Sequence, residues 1–288
     1  MNYRKKGKVK MKFKFLGTAA EEGIPALFCK CENCQKARSM GGKNIRMRSQ
    51  ALINSELLID FNPDTYAYSL RYGIDMSNIH HCIITHAHAD HLYAENINLR
   101  LPALSTIPDR KPFNIYGTAP VTEKLNQVFR RDNPMENNVA CFHTISTYKP
   151  IKVLDYEITA FDAKHDPISG PVIYMIKHSG KTVLYGNDTG CIFDETYQYF
   201  KDNNIHFDFV SLDCTEGFKE MDYDVHMNIE RCLNVKNTLL KNGNADEDTL
   251  FYINHFSHNG QLVLYDEMID KAKEQGFYVS YDGLEVNI

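Results

Sequence analysis

The chain has 288 residues, of which 43% are hydrophobic and 24% charged, an ordinary composition for a globular protein. A formal net charge of −5 weighs against a generic nucleic-acid binder, and no apolar run suits a signal-peptide core or a membrane span. The expectation is a cytoplasmic protein forming one domain over residues 1–288, since no linker-like stretch divides the chain.

Seven of the first fourteen residues are Lys or Arg: Arg4, Lys5, Lys6, Lys8, Lys10, Lys12 and Lys14. A solvated basic leader over residues 1–10 is favoured over a nucleic-acid or membrane-surface tail. Residues 11–16 alternate with period two and predict the first strand. Cys29, Cys31 and Cys34 put three thiols within six residues, close enough to chelate one ion. Cys82, Cys141, Cys191, Cys214 and Cys232 are scattered, mostly among apolar neighbours, and predict small core residues without a disulfide framework. Residues 50–53 and 56–60 flank Asn54-Ser55 as a tight hairpin. Residues 63–72 predict a helix with Pro63 in its first turn and Gly73 at its end.

The run His81-Cys82-Ile83-Ile84 reads as a short buried strand. Strand and helix follow over 113–116 and 121–129. Residues 156–161 predict a strand, and 172–177 with 182–185 a second hairpin. Residues 207–212 predict a strand ending at Asp213. Ile229, Leu233, Lys236 and Leu240 share one face of a helix closed by Gly243. A strand over 250–253, a helix over 263–272 and a hairpin around Asp282-Gly283, joining 278–281 to 284–288, complete the pattern.

The densest chemistry follows the strand at His81. His86, His88, Asp90 and His91 fall within six residues. Imidazole and carboxylate suit zinc, manganese or iron. In an extended segment His86 and His88 point the same way and can converge on one ion, while Asp90 and His91 follow a turn and can face a second. A His-rich surface loop is the bland alternative, and four ligand-type residues after a strand weigh against it. Farther on, His165, Asp188 and His255 each lie just past a strand-like run. Taken singly, each also fits an ordinary surface or core position.

Thr85-His86-Ala87-His88-Ala89-Asp90-His91 resembles the HxHxDH signature of the metallo-β-lactamase-fold hydrolases. The order Leu58-Ile59-Asp60, this cluster, His165, Gly186-Asn187-Asp188-Thr189 and Asn254-His255 matches that family's five metal-site motifs across nearly the whole chain. The Cys29-Lys30-Cys31-Glu32-Asn33-Cys34 motif, after Gly17-Thr18 and Gly23-Ile24-Pro25, resembles the phosphoribosyl cyclic phosphate phosphodiesterases. A protein related to pyrroloquinoline quinone production carries a similar motif.

The resemblance implies an α/β fold, the αββα sandwich of two mixed sheets with helices on the outer faces. It implies two divalent active-site ions (Zn, Mn or Fe). His86, His88 and His165 would serve one, Asp90, His91 and His255 the other, and Asp188 both. Asp60 would orient a ligand histidine. Asp90 and His226 carry the catalytic assignment, with His226 facing the leaving oxygen or the phosphate. Cys29, Cys31, Cys34 and His258 would hold a closed structural zinc. The implied reaction is hydrolysis of a small cyclic phosphate, 5-phosphoribosyl 1,2-cyclic phosphate above all, by a water activated between the ions. The implied partner is a small-molecule phosphate ester, with no membrane or nucleic acid, and homodimerisation is left open. Arg46 or Arg48 could hold a sugar phosphate, and solvated-loop roles fit them equally. A thioesterase of the glyoxalase II kind and a quinone-biosynthesis-like metal-binding protein are the rival readings.

Overall fold

The computed structural model describes residues 11–129 and 138–288; the basic leader expected over 1–10 lies outside the described residues. The first half of the chain builds one sheet from β1 (Lys12–Gly17), β2 (Gln50–Ile53), β3 (Leu57–Ile59), β4 (His81–Ile83), β5 (Phe113–Gly117) and β6 (Ala140–Thr144). The second half builds another from β7 (Ile151–Val153), β8 (Tyr156–Asp162), β9 (Val172–His178), β10 (Lys181–Gly186), β11 (Phe209–Asp213), β12 (Leu250–Asn254) and β13 (Tyr278–Val279). A last strand, β14 (Glu285–Asn287), returns to the first sheet. The orders are β14-β1-β2-β3-β4-β5-β6 and β13-β12-β11-β10-β9-β8-β7.

Each sheet is mixed. The pairings from β14 to β3 are antiparallel and those from β3 to β6 parallel. In the other sheet β7 to β10 pair antiparallel and β10 to β13 parallel. Alternating side chains then bury both faces. Ile53, Leu57, Ile59 and Ile83 of the first sheet meet Tyr174, Ile176, Val183 and Phe209 of the second. Leu52, Leu58, Cys82 and Ile115 point the other way, under α2 (Thr65–Tyr72) and α3 (Ala119–Val128), through Tyr68, Val121 and Leu125. Leu184, Val210, Leu212 and Ile253 likewise pack under α4 (Asp194–Asp202), α5 (Ile229–Lys241) and α6 (Tyr265–Glu274). This is the αββα sandwich. Burial on both faces is why its strands read as short apolar runs.

Two expectations are corrected. The segments flanking Asp282-Gly283 do not pair with each other: β13 joins β12 and β14 joins β1. The turn exists, with Leu284 N–H donating to Tyr281 O at 3.0 Å, but it passes the chain between sheets. Asp282 anchors it by accepting from Thr18 Oγ1 and Met47 N–H, both at 2.7 Å. On α5 the buried stripe is Cys232, Val235 and Leu239, whereas Leu240 is exposed. The face expected through Lys236 and Leu240 lies beside the true seam, because Cys232 is a better core residue than its polar neighbours suggest.

Parallel pairing has a positional consequence. β3 and β4 run one way together, as do β10, β11 and β12, with β8 in the same sense through the antiparallel β9. Their carboxyl ends collect along one edge of the sandwich, where irregular loops must begin.

Candidate metal centre

Each strand end delivers one polar residue. Asp60 follows β3, His86 follows β4, His165 follows β8, Asp188 follows β10, Asp213 closes β11 and His255 follows β12. Asp60, Asp188 and His255 have φ of 67°, 54° and 62°. Non-glycine residues in this left-handed region cost roughly 1–3 kcal/mol each, and such strain concentrates at functional sites.

Asp188 is the hub. Its Oδ2 lies 3.2 Å from Nε2 of both His86 and His91 and 3.7 Å from His255 Nε2. Its Oδ1 lies 3.5 Å from His165 Nδ1 and 3.3 Å from His226 Nδ1. His86, His88, His165 and Asp188 form one group whose ligand-type atoms all lie within 4.8 Å of one another, and Asp90, His91, Asp188 and His255 form another. The structure therefore brings together the seven residues expected from sequence, with Asp188 common to both groups; a third, overlapping group within the same limit joins Asp188 and His255 to Asp213 and His226.

The remaining polar atoms fix these rings from behind. Asp60 Oδ2 lies 2.7 Å from His91 Nδ1, and Thr85 holds Asp60 through its N–H at 2.8 Å and its hydroxyl at 3.0 Å. Thr215 Oγ1 lies 2.9 Å from His255 Nδ1. Asp166 Oδ2 lies 3.1 Å from His88 Nε2. Asp213 accepts from the N–H groups of Thr215 and Met227 at 2.9 and 3.0 Å, and its other oxygen lies 3.1 Å from His226 Nδ1. Sequence reasoning assigned no role here to Asp213, Asp166, Thr85 or Thr215. Asp213 carried a usable signal, because it ends an apolar strand as Asp60 does.

The electrostatics ask for cations. Asp60, Asp90, Asp188 and Asp213 are buried, and among the described residues no Lys or Arg pairs with any of them. His86 Nε2, His165 Nδ1, His255 Nε2 and Asp188 Oδ1 approach one another but make no aligned hydrogen bond. A buried polar atom left so costs about 1–3 kcal/mol. Burial, reinforced by His91, pushes His86 down to about 4, and burial also lowers His165, so both present neutral imidazoles. Burial opposes ionisation of Asp188, yet His255, His86 and His91 hold it well below the usual carboxylate range. Against its burial, Asp90 and Asp60 hold His91 well above the usual imidazole range, so here a proton stands where a cation would. Imidazoles and ionised carboxylates converging without ammonium or guanidinium partners fit divalent metal ions.

His226 precedes α5, whose N-cap Asn228 accepts from Arg231 N–H at 3.0 Å and fixes the helix start. Burial works against its charge, but Asp213 and Asp188 raise it to about 9. Its Nδ1 is engaged by these carboxylates, leaving Nε2 as the nitrogen without a partner among the described residues. The ring lines a cavity of about 390 Å³ with His88, Asp90, His165, Asp188 and His255.

Cys29, Cys31, Cys34 and His258 form a separate group within the same 4.8 Å limit, with Cys31 Sγ 3.4 Å from His258 Nδ1. The N–H groups of Ala26 and Cys31 donate to Cys34 Sγ and Cys29 Sγ, both at 3.3 Å. Cys31 is the N-cap of α1 (Glu32–Met40), and Asn33 reaches the His258 and Gly260 carbonyls at 2.9 and 3.0 Å.

The arginines do not serve the site. Arg46 is 1% exposed, donates to Thr18 Oγ1 and Ser280 O at 2.8 and 2.7 Å, and lies over the Phe256 ring. It is a buried clamp, not a phosphate ligand. Arg48 is spent on Asp64 at 3.0 Å and the Glu21 carbonyl at 2.7 Å.

Fold and site together define a metal-site hydrolase architecture. The beta-lactamase superfamily domain model matches residues 56–241, and the chain belongs to that superfamily. Among curated proteins, the coenzyme PQQ synthesis protein B of Methylobacterium radiotolerans is 26% identical over 191 residues, 62% of this chain and 56% of that protein. The protein of the same name from Methylorubrum extorquens is 24% identical over 186 residues, 60% and 54% respectively. The chain thus spans about half the length of the curated relatives it matches. Among solved structures, a diphosphatase of the PhnP family superposes with TM-score 0.72 at 20% identity, covering 97% of this chain and 98% of that one. Zn(2+)-bound PqqB from Methylobacterium extorquens gives 0.70 at 19%, covering 96% and 100%. Human tRNase Z, short form, gives 0.63 at 16%, covering 96% and 98%. These likenesses concern the fold. No helix among the described residues is long and apolar enough to cross a membrane.

Proposed function

We propose that this protein is a dinuclear metal-dependent phosphodiesterase that opens a small cyclic phosphate, with 5-phosphoribosyl 1,2-cyclic phosphate as the reference substrate. The observation that carries this reading is Asp188, shared by two complete ligand groups at the cavity wall. His86, His88, His165 and Asp188 would hold one cation, and Asp90, His91, Asp188 and His255 the other. Two such cations would acidify water near neutral pH and neutralise charge growing on a phosphoryl oxygen. Asp60 and Thr215 orient His91 and His255 from behind. His226, held through Nδ1 by Asp213, turns Nε2 to the substrate and gives the leaving oxygen its proton. Cys29, Cys31, Cys34 and His258 would hold a closed zinc that ties the start of the fold to its end. None of the eight cysteines is paired in a disulfide, and a cytoplasmic setting is part of this proposal.

The PhnP-family likeness supports phosphoryl chemistry. The curated relatives support a second reading, a metal-binding protein serving coenzyme synthesis. The test is turnover by the metal-loaded protein of cyclic phosphates, bis(p-nitrophenyl) phosphate and S-lactoylglutathione. Phosphodiester hydrolysis that disappears in Asp188→Ala is the expected result. Thioester hydrolysis alone would replace the reading with a glyoxalase II-like one. No turnover at full metal content would leave the coenzyme-synthesis reading.

A further inference from the structure

The cavity beside the metal centre has an unexpected charge. A site for a sugar carrying a second phosphate needs Arg or Lys opposite the reacting centre. Among the described residues, the lining includes neither. They include Glu21, Glu22 and Glu216 instead. Arg46 and Arg48 are committed elsewhere.

Two of these carboxylates are held in place. Glu22 Oε1 accepts from Ser257 Oγ at 2.9 Å and Asn259 Nδ2 at 3.3 Å, and lies 3.6 Å from His258 Nε2. Glu216 is 6% exposed, accepts from the Tyr223 hydroxyl and pairs with Lys219 Nζ at 3.0 Å. Lys219 therefore neutralises one of the three, and Glu21 and Glu22 keep a negative wall. Such a wall repels a phosphate monoester dianion and accepts hydrogen bonds from hydroxyl or amino groups.

We infer that the wall formed by Glu21 and Glu22 selects a phosphodiester bearing a single negative charge, whose alcohol portion is a hydroxyl-rich sugar or nucleoside without a second phosphate. This rests on the proposed phosphodiesterase reading and narrows its substrate class, disfavouring the 5-phosphorylated reference ester.

The test compares ribose 1,2-cyclic phosphate with 5-phosphoribosyl 1,2-cyclic phosphate, which share a reacting centre. The expected kcat/KM ratio favours the first by roughly 10-fold or more, the size of effect that a few partly screened charges produce. Glu21→Gln combined with Glu22→Gln should shrink that ratio toward one, as should raised ionic strength. The ratio does not depend on the fraction of folded enzyme, so a loss of stability cannot mimic the effect. Equal kcat/KM values, or preference for the 5-phosphorylated ester, overturn the inference and leave the phosphodiesterase reading standing. Hydrolysis of neither ester by the fully metal-loaded protein overturns that reading, and the inference with it.

Discussion

His255 and His258 lie three residues apart on one loop, yet they serve two clusters of opposite character. The cluster around His255 is built of imidazoles and carboxylates, with Asp188 at its centre, and opens onto the cavity. The cluster around His258 is built of thiols, with backbone N–H groups donating to its sulfurs, and none of its four residues lines that cavity. Hard and borderline donors beside open space suit an exchangeable ion that handles substrate. Soft donors in a closed set suit an ion that holds the fold. The difference teaches that one loop can carry a reactive and a static site if donor chemistry and access differ.

The largest expected effect breaks the open cluster. Asp188→Ala should lose at least one bound metal and bring hydrolysis to background, as should exhaustive chelation, while circular dichroism still reports a folded chain. Metal analysis and turnover on the same samples check this. Full activity in metal-free protein would erase the contrast between the clusters.

The next effect lies within the open cluster. His226→Ala should keep both ions and slow esters with poor alkoxide leaving groups by roughly 10²–10⁴-fold, the range of general acid catalysis. An activated aryl ester should suffer much less. Equal losses on both substrates would assign His226 to phosphate binding, and loss of metal would assign it to the ligand set.

A smaller change sharpens the role of the residues behind the rings. Asp60→Asn keeps the shape but weakens the acceptor opposite His91 Nδ1, so metal affinity should fall about 10–100-fold. Competition with a chromogenic chelator reads this directly. Unchanged affinity would reduce Asp60 to a strand-end hydrogen-bonding residue.

The smallest effect on chemistry comes from the closed cluster. Cys31→Ser should lose the zinc and cost stability on the order of 3 kcal/mol, with little change in rate per folded molecule. Zinc content, melting midpoint and active-site titration measure the three quantities separately. An unchanged midpoint and zinc content would remove the holding role.

The legible parts of the chain were those governed by local pattern. Period-two alternation located β1, an apolar run located β4, hairpin signals located β2 and β10, and ligand spacing located His86, His88, Asp90 and His91. Asp188 and His255 were found through an ordered resemblance, since a lone Asp or His after a strand has no local signature. Asp213 escaped because a buried carboxylate acting on His226 looks in sequence like any strand terminator. Helices α1 and α4 were missed: each buries two residues, Cys34 with Ala37 and Thr196 with Phe200, as α2 does with Thr65 and Tyr68, but neither has a Pro before it of the kind that marked α2 at Pro63. The misread end of the chain has a different cause. Asp282-Gly283 is a sound hairpin turn, and only the available edges of two sheets decide that its arms part.

That parting bears on how the protein is made. β1 is the neighbour of β14, and Ile288 N–H donates to Met11 O at 2.9 Å. Synthesis runs from β1 to β14, so β1 waits for one of its partners until every strand between them has been made. During that wait its backbone offers an unpaired rim beside Phe13 and Phe15, available to any other extended chain nearby. Non-local pairings of this kind form late and leave intermediates exposed to aggregation. Soluble yield in a cell should therefore rise with holdase supply and fall with growth temperature.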